Sequence, residues 1–325
     1  MGIRSLHSRP TGRGLGPLTE LLEGLVIRTQ AGYQDVRTER GDFRCRLRGR
    51  LRRGRAEGDL VAVGDRVLIE PQEDMTGSIA EILPRKSVFS RKLSGVNYDY
   101  QQIILANADL AMLVFACSSP EPKRRMLDRF LVVTERAKIP AVIVVNKIDL
   151  LGLEKAKEIF QLYEDIGYKI IYASAKTGEG VTEMREELSG KLTTLAGPSG
   201  VGKSSLINQI LPDAELLTSR VGKESGKGRH TTQVRQLYAL PEGGYVADVP
   251  GLRTLALWDI EPEELDAYFV EIAPLVPECQ FNDCSHSHEP GCAVRKAVED
   301  GKIHPERYDS YCKLRFGGKE IEDEE

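Results

Sequence analysis

Leu195-Ala-Gly-Pro-Ser-Gly-Val-Gly-Lys-Ser-Ser205 fits the pattern G-x-x-x-x-G-K-[ST], with an apolar run before it and the helix-like Leu206-Ile-Asn-Gln-Ile210 after it. Gly197, Gly200 and Gly202 let the backbone curl so that successive N–H groups and a helix N-terminus point at one anion. Lys203 adds a positive charge and Ser204 a hydroxyl for Mg²⁺. The run Gly197, Pro198, Ser199, Gly200, Val201, Gly202, Lys203, Ser204, Ser205 therefore reads as a phosphate-binding loop whose expected ligand is a nucleoside triphosphate. The plainer alternative is a glycine-rich loop ahead of an ordinary helix, and the flanking sequence weighs against it.

Upstream, Ile103 to Phe115 and Ala141-Val-Ile-Val-Val145 are apolar runs of buried-strand character, flanking a helical stretch from about Lys123 to Lys138. This alternation predicts an α/β unit with a parallel sheet. The second run ends in Asn146-Lys147-Ile148-Asp149, and a third strand-like segment, Lys169 to Tyr172, is followed by Ser174-Ala175-Lys176. Both look like guanine-reading motifs. Asp149 can accept from the guanine N1–H and exocyclic amine, Asn146 can bond the base and brace neighbouring loops, and Ala175 can offer a backbone N–H to O6. Adenine presents the wrong donors and acceptors, so GTP is expected rather than ATP.

Downstream, Val221 to Thr232 is polar and glycine-rich, as a switch loop would be, and either Thr231 or Thr232 can complete Mg²⁺ coordination when a γ-phosphate is present. The strand Gly244-Tyr-Val-Ala-Asp-Val-Pro-Gly251 then supplies D-x-x-G, with Asp248 expected to hold Mg²⁺ through water and the Gly251 N–H to sense the γ-phosphate. The guanine motifs precede the phosphate loop, the reverse of the usual order. The unit is thus expected to be circularly permuted, with its switch strand leading straight into the C-terminal segment. Leu252 stands where many GTPases carry a water-orienting glutamine. His230 is the candidate replacement as orienting group or base, the alternative being a histidine that contacts RNA or solvent.

The chain has 325 residues, 41% of them hydrophobic, enough for two or three domains. No run of about 18 apolar residues and no signal-peptide pattern is present, so a cytoplasmic protein without a membrane anchor is expected. A net charge of −4 hides an uneven distribution: residues 28 to 55 carry ten arginines against Asp35, Glu39 and Asp42. Arginine, glycine and proline dominate the first twenty residues, which lack hydrophobic periodicity and read as a mobile tail.

From Gly24 to about Ser90, short alternating stretches separated by Gly, Asp and Pro predict a small antiparallel barrel of OB type. In Phe43-Arg-Cys-Arg-Leu-Arg-Gly-Arg-Leu-Arg52 the pleat puts Arg44, Arg46, Arg48, Arg50 and Arg52 on one face, roughly 6.7 Å apart. A charged strand face is often merely solvated, but five like charges repel unless a polyanion neutralises them, so RNA contact through phosphates and shape is expected.

Near the C-terminus, Cys279-x₄-Cys284-x-His286-x₅-Cys292 offers three thiolates and one imidazole, enough for a closed, structural tetrahedral zinc site, with His288 the runner-up ligand. Glu261 to Ala273, Ala293 to Asp300 and Pro305 to Phe316 read as short helices pinned by that metal, and Cys312 reads as core.

The permuted order, the barrel, the GPSGVGKSSLIN and GRHTT stretches and the Cys/His cluster together resemble the RsgA (YjeQ) family over about residues 20 to 315. The resemblance implies a bacterial ribosome-assembly GTPase that binds the small subunit, is stimulated by it, and acts late in its maturation. It also implies a role for His230 in the reaction. The expected layout is a tail over 1–20, an OB-like RNA-binding barrel over 21–95, a permuted GTPase unit over 96–255 and a zinc-binding helical unit over 256–325, in a monomer. One rival is an RNA-binding assembly module whose nucleotide site only signals, which Leu252 favours. A P-loop kinase is opposed by N-K-x-D and by the lack of a second-substrate site.

Overall fold

The computed structural model describes residues 20–48, 60–92, 101–211, 235–248 and 260–317. Nearly all of the proposed tail, together with Arg50, Arg52, His230, Thr231, Thr232, Gly251 and Leu252, lies outside them.

The N-terminal strands are β1 (Leu22–Gln30), β2 (Tyr33–Thr38), β3 (Gly41–Leu47), β4 (Arg66–Pro71) and β5 (Thr76–Ile82). They run in the order β1-β2-β3-β5-β4, and β4 pairs back onto β1, so the sheet closes into an OB-like barrel. The β3–β5 pairing is parallel and the others are antiparallel. Alternation fills the interior with Val26, Val36, Phe43, Cys45, Val67, Ile69 and Ile79, while Asp42, Arg44 and Arg46 face outward. Each such side chain withdrawn from water contributes about 1.5–3 kcal/mol.

The apolar stretch from Ile103 to Phe115 is two strands, not one. β6 (Val88–Lys92) and β7 (Gln101–Ala106) form a separate antiparallel pair, and β8 (Leu110–Ala116) belongs to the main sheet. The break falls at Asn107, whose backbone is left-handed (φ 55°). Its Oδ1 accepts from Lys86 N at 2.8 Å and its Nδ2 donates to Gly64 O at 2.9 Å, so one polar residue ties the hairpin to the barrel. Gly64 is required there: its φ is +88°, and a Cβ would lie 2.1 Å from Ala106 O. Nearby, the buried Asp65 carboxylate takes two bonds from Arg85, at 2.6 and 2.7 Å.

The main sheet continues with β9 (Ala141–Asn146), β10 (Lys169–Tyr172), β11 (Leu192–Ala196), β12 (Arg235–Ala239) and β13 (Tyr245–Asp248). Its order is β10-β9-β8-β11-β13-β12, parallel except for β12, which is antiparallel to β13. β12 also pairs with β1, Arg28 opposite Gln236 and Thr29 opposite Arg235, so the barrel wall extends the sheet. β8 is buried throughout because both faces are covered. Ala111, Leu113 and Phe115 meet α1 (Arg124–Arg136) and α3 (Leu153–Asp165), which follows the single turn α2 (Ile148–Leu151). Met112, Val114 and Ala116 meet α4 (Val181–Leu188) and α5 (Lys203–Ile210).

The C-terminal unit has 3₁₀ turns at Pro262–Tyr268 and Ala273–Glu278, then α6 (Ala293–Glu299) and α7 (Pro305–Phe316). The first expected helix, Glu261 to Ala273, is thus a 3₁₀ segment that stops at Tyr268. Leu265, Phe269, Ile272, Val294, Ile303, Tyr311 and Leu314 form its core together with Val132 of α1. Cys312 is half-buried against that core. Among the described residues, no helix is long and apolar enough to cross a membrane.

Candidate nucleotide site and metal centre

Parallel strands end on one edge, so chain order does not decide which loops meet. β9 ends at Asn146, β10 just before Ser174, β11 just before Gly197, and β13 at Asp248, and all four motifs emerge on that edge. Gly197 leaves β11 at φ +142°, where a Cβ would lie 2.1 Å from Val114 O of β8. The loop continues through half-buried Pro198, exposed Ser199 and Gly200, and buried Val201. Gly202 (φ +95°) precedes α5, and a Cβ on it would fall 2.3 Å from Asn146 Nδ2. The phosphate loop and the N-K-x-D segment therefore touch at a point where no other residue type fits.

Asn146, 1% exposed, joins them. Its Nδ2 donates to Val201 O at 2.8 Å and its Oδ1 accepts from Ala175 N at 3.1 Å. Of the two tasks the sequence allowed it, bracing is the one seen in these contacts. Asp149 Oδ1 accepts from Ser174 Oγ at 2.6 Å, with Lys176 Nζ 3.9 Å from its Oδ2. Ser174 Oγ also accepts from the N–H groups of Lys176 and Thr177, at 3.3 and 3.2 Å, which shapes the Ser174-Ala175-Lys176 turn. Lys147 is left-handed (φ 68°), and buried Ile148 donates to Ala173 O at 3.3 Å. Lys203 Nζ lies across its own loop, donating to the carbonyls of Gly197 (2.7 Å) and Pro198. Ser204 and Ser205 follow in the first turn of α5, where N–H groups lack partners within the helix.

Sequence reasoning passed over the loop after β8. Cys117 N donates to Asn146 O at 3.0 Å, Cys117 Sγ to Lys147 O at 3.1 Å, and Lys147 Nζ to Ser119 O. The available signal was its position at the end of a parallel strand next to the phosphate-loop strand.

In the C-terminal unit, the ligand atoms of Cys279, Cys284, His286 and Cys292 all lie within 4.8 Å of one another. Cys279 Sγ and Cys292 Sγ are each 3.5 Å from His286 Nδ1 and 4.0 Å apart. A tetrahedral zinc ion with ordinary Zn–S and Zn–N bonds sets these edges at about 3.6 and 3.8 Å. Burial, with the neighbouring sulfurs of Cys292 and Cys279, pushes the Cys284 thiol up to about 12, so a cation is what would make these thiolates tolerable together. The other ring nitrogen, His286 Nε2, faces Asp266 Oδ2 at 3.3 Å, the carboxylate support that metal-ligating histidines commonly have. The donor set fits a metal. His288 is exposed, outside the cluster, with Nδ1 2.8 Å from Ser287 Oγ.

A family model described as RsgA GTPase matches residues 82–258, and one described as RsgA N-terminal domain matches residues 23–79. The chain belongs to the RsgA GTPase family. It is 44% identical to the small ribosomal subunit biogenesis GTPase RsgA of Gemmatimonas aurantiaca, over 92% of this chain and 98% of the relative. Identity to the protein of the same description from Caldanaerobacter subterraneus subsp. tengcongensis is 41%, over 93% and 98%. Among solved structures, YjeQ from Thermotoga maritima superposes with a TM-score of 0.76 at 37% identity, covering 92% of this chain and 98% of that one. YloQ, described as a circularly permuted GTPase, gives 0.71 at 30% identity, covering 93% and 96%.

The RsgA-family architecture in this chain holds its C-terminal unit by a buried charge cluster that no local pattern announced. Arg307, 1% exposed, pairs with Asp128 of α1 and binds Glu271 through Nε at 2.7 Å and Nη2 at 3.1 Å. Tyr163 of α3 donates to Asp128 Oδ1 at 2.9 Å, and the guanidinium lies 4.5 Å from the Phe269 ring centroid. On the barrel, Arg44 and Arg46 are exposed on β3, whereas Arg48 lies beyond its end and pairs with Glu70.

Proposed function

We propose that this chain hydrolyses GTP to GDP and phosphate while bound to the small ribosomal subunit, acting late in that particle's maturation in the cytoplasm. The observation that carries the reading is Asn146, which bonds the phosphate loop and the guanine-side turn at once. In this reading the N–H groups of Gly197 to Ser205 hold the phosphates, and Lys203 turns from its own loop carbonyls to the β- and γ-phosphates. Asn146, Lys147, Ile148 and Asp149 with Ser174, Ala175 and Lys176 form the guanine pocket. Asp149 accepts from the base and the Ala175 N–H donates to O6. Ser204 would ligate Mg²⁺, with Asp248 acting through water and Thr231 or Thr232 completing the shell; the ion supplies charge neutralisation between the phosphates. The Gly251 N–H senses the γ-phosphate, and His230 orients the attacking water in place of the glutamine that Leu252 replaces.

The relatives' description as small ribosomal subunit biogenesis GTPases supports the partner, and the exposed arginines of β3 support contact with its RNA. The ion held by Cys279, Cys284, His286 and Cys292 is assigned as zinc with a structural role, because four protein donors leave no open position. Steady-state GTP turnover, alone and with purified small or large subunits, tests the reading. Stimulation by small subunits only is expected. Tight GTP binding without stimulation would instead support a nucleotide-sensing RNA binder with negligible turnover, the reading that Leu252 favours.

A further inference from the structure

Tyr33, at the start of β2, carries two guanidiniums on one ring. Arg44 Cζ lies 4.5 Å and Arg46 Cζ 4.3 Å from the ring centroid, and Arg46 Nη2 also bonds the phenol oxygen. The two arginines are neighbours on the outward face of β3 and both are exposed. Neither has an ion-pair partner among the described residues, although Asp35 stands opposite Arg44 in register. Two guanidiniums held on one ring repel each other, and with neither ion-paired to Asp35 or to another carboxylate among the described residues, the negative face of the tyrosine ring offsets only part of that cost. Arg48, next in the alternation, differs: its side chain pairs with Glu70 on β4 and its N–H donates to Ile79 O at 3.3 Å.

The chemistry selects the occupant. A ring engaged by guanidiniums is not free to stack a base, while the guanidinium forks match phosphate oxygens bidentately. Thr76 and Ser78 of β5 stand next to Arg44 and Arg46 in register and add hydroxyls to the same surface. We propose that Tyr33, Arg44 and Arg46 form a clamp for the phosphodiester backbone of ribosomal RNA, with Tyr33 as the positioning residue and Arg48 outside it. This rests on the reading that the chain binds the small subunit.

The test is the affinity of the full chain for purified small subunits across a potassium chloride series. Each lost phosphate contact reduces the slope of log K against log[salt] by about 0.7–0.9. Arg44→Ala and Arg46→Ala should each do so, and Arg48→Ala should leave the slope unchanged. Tyr33→Ala should weaken binding several-fold and Tyr33→Phe should restore most of it, since the ring does the positioning. GTP affinity, unchanged in every variant, reports that each protein is folded. If wild-type chain binds but the slopes of Arg44→Ala and Arg46→Ala match it, the clamp is overturned and the partner reading stands. A Tyr33→Phe as weak as Tyr33→Ala, or an Arg48→Ala slope reduced like the others, also overturns the clamp. Wild-type chain that fails to bind small subunits overturns both.

Discussion

The central sheet meets its neighbours at two seams of opposite kind. At the barrel seam β12 pairs with β1 at two register positions, and Val63, Leu25 and Ile27 of the barrel pack against the core that holds Leu192, Leu237 and Ala247. β12, the central-sheet strand of this seam, lies in sequence between the segment holding Thr231 and Thr232 and the strand ending at Asp248. At the C-terminal seam, buried Arg307 pairs with both buried Asp128 and half-buried Glu271, and Tyr163 is bonded to Asp128. Such a cluster tolerates almost no change, since removing one member strands charges away from water. One seam joins strands and apolar side chains, and the other is a buried charge cluster that holds the C-terminal unit on α1.

Metal removal should have the largest effect on this contrast. α7, which carries Arg307, packs on the segment holding Cys279, Cys284, His286 and Cys292, so chelation or Cys292→Ser should unfold the C-terminal unit. Circular dichroism and limited proteolysis should show that loss while the barrel stays protease-resistant; concurrent loss of the barrel would erase the distinction between the seams. Next, Arg307→Ala should cost about 3–5 kcal/mol in denaturant unfolding, because Asp128 and Glu271 are left without their cation. A cost below about 1 kcal/mol would mean water reaches the cluster. Gln236→Pro removes an N–H from a strand paired on both sides and should cost about 2 kcal/mol, with faster amide exchange in β1 as the local readout. Tyr163→Phe should be mildest, about 1 kcal/mol, since it deletes one hydrogen bond and leaves the ion pairs in place.

Sequence reached the parts of this molecule that depend on short spacing. The phosphate loop, N-K-x-D, S-A-K and the cysteine cluster each lie within one segment, and backbone geometry fixes what their residues can face. Features made by contact across the chain were not legible. Asp128 and Arg307 are 179 residues apart, and each alone looks like an ordinary charged helix residue. β2, Tyr-Gln-Asp-Val-Arg-Thr, has no apolar alternation to mark it, because only Val36 is fully buried within it, and nothing local singles out Tyr33. The Ile103 to Phe115 run hid a boundary at Asn107, where a side chain bonding two loops outweighs the apolar pattern. Alternation placed five arginines in one row, but β3 ends at Leu47 and Arg48 turns to Glu70.

The most direct test of a guanine-nucleotide site assembled from permuted motifs is calorimetric titration of the wild-type chain and Asp149→Asn with GTP and xanthosine triphosphate. If Asp149 reads the base, wild type should prefer GTP. The variant should lose about 10–100-fold in GTP affinity and gain for xanthosine triphosphate, whose C2 oxygen accepts from the new amide. Equal GTP affinity in both proteins would contradict the site, because the contacts around Asn146 would then hold together a loop cluster that does not read guanine.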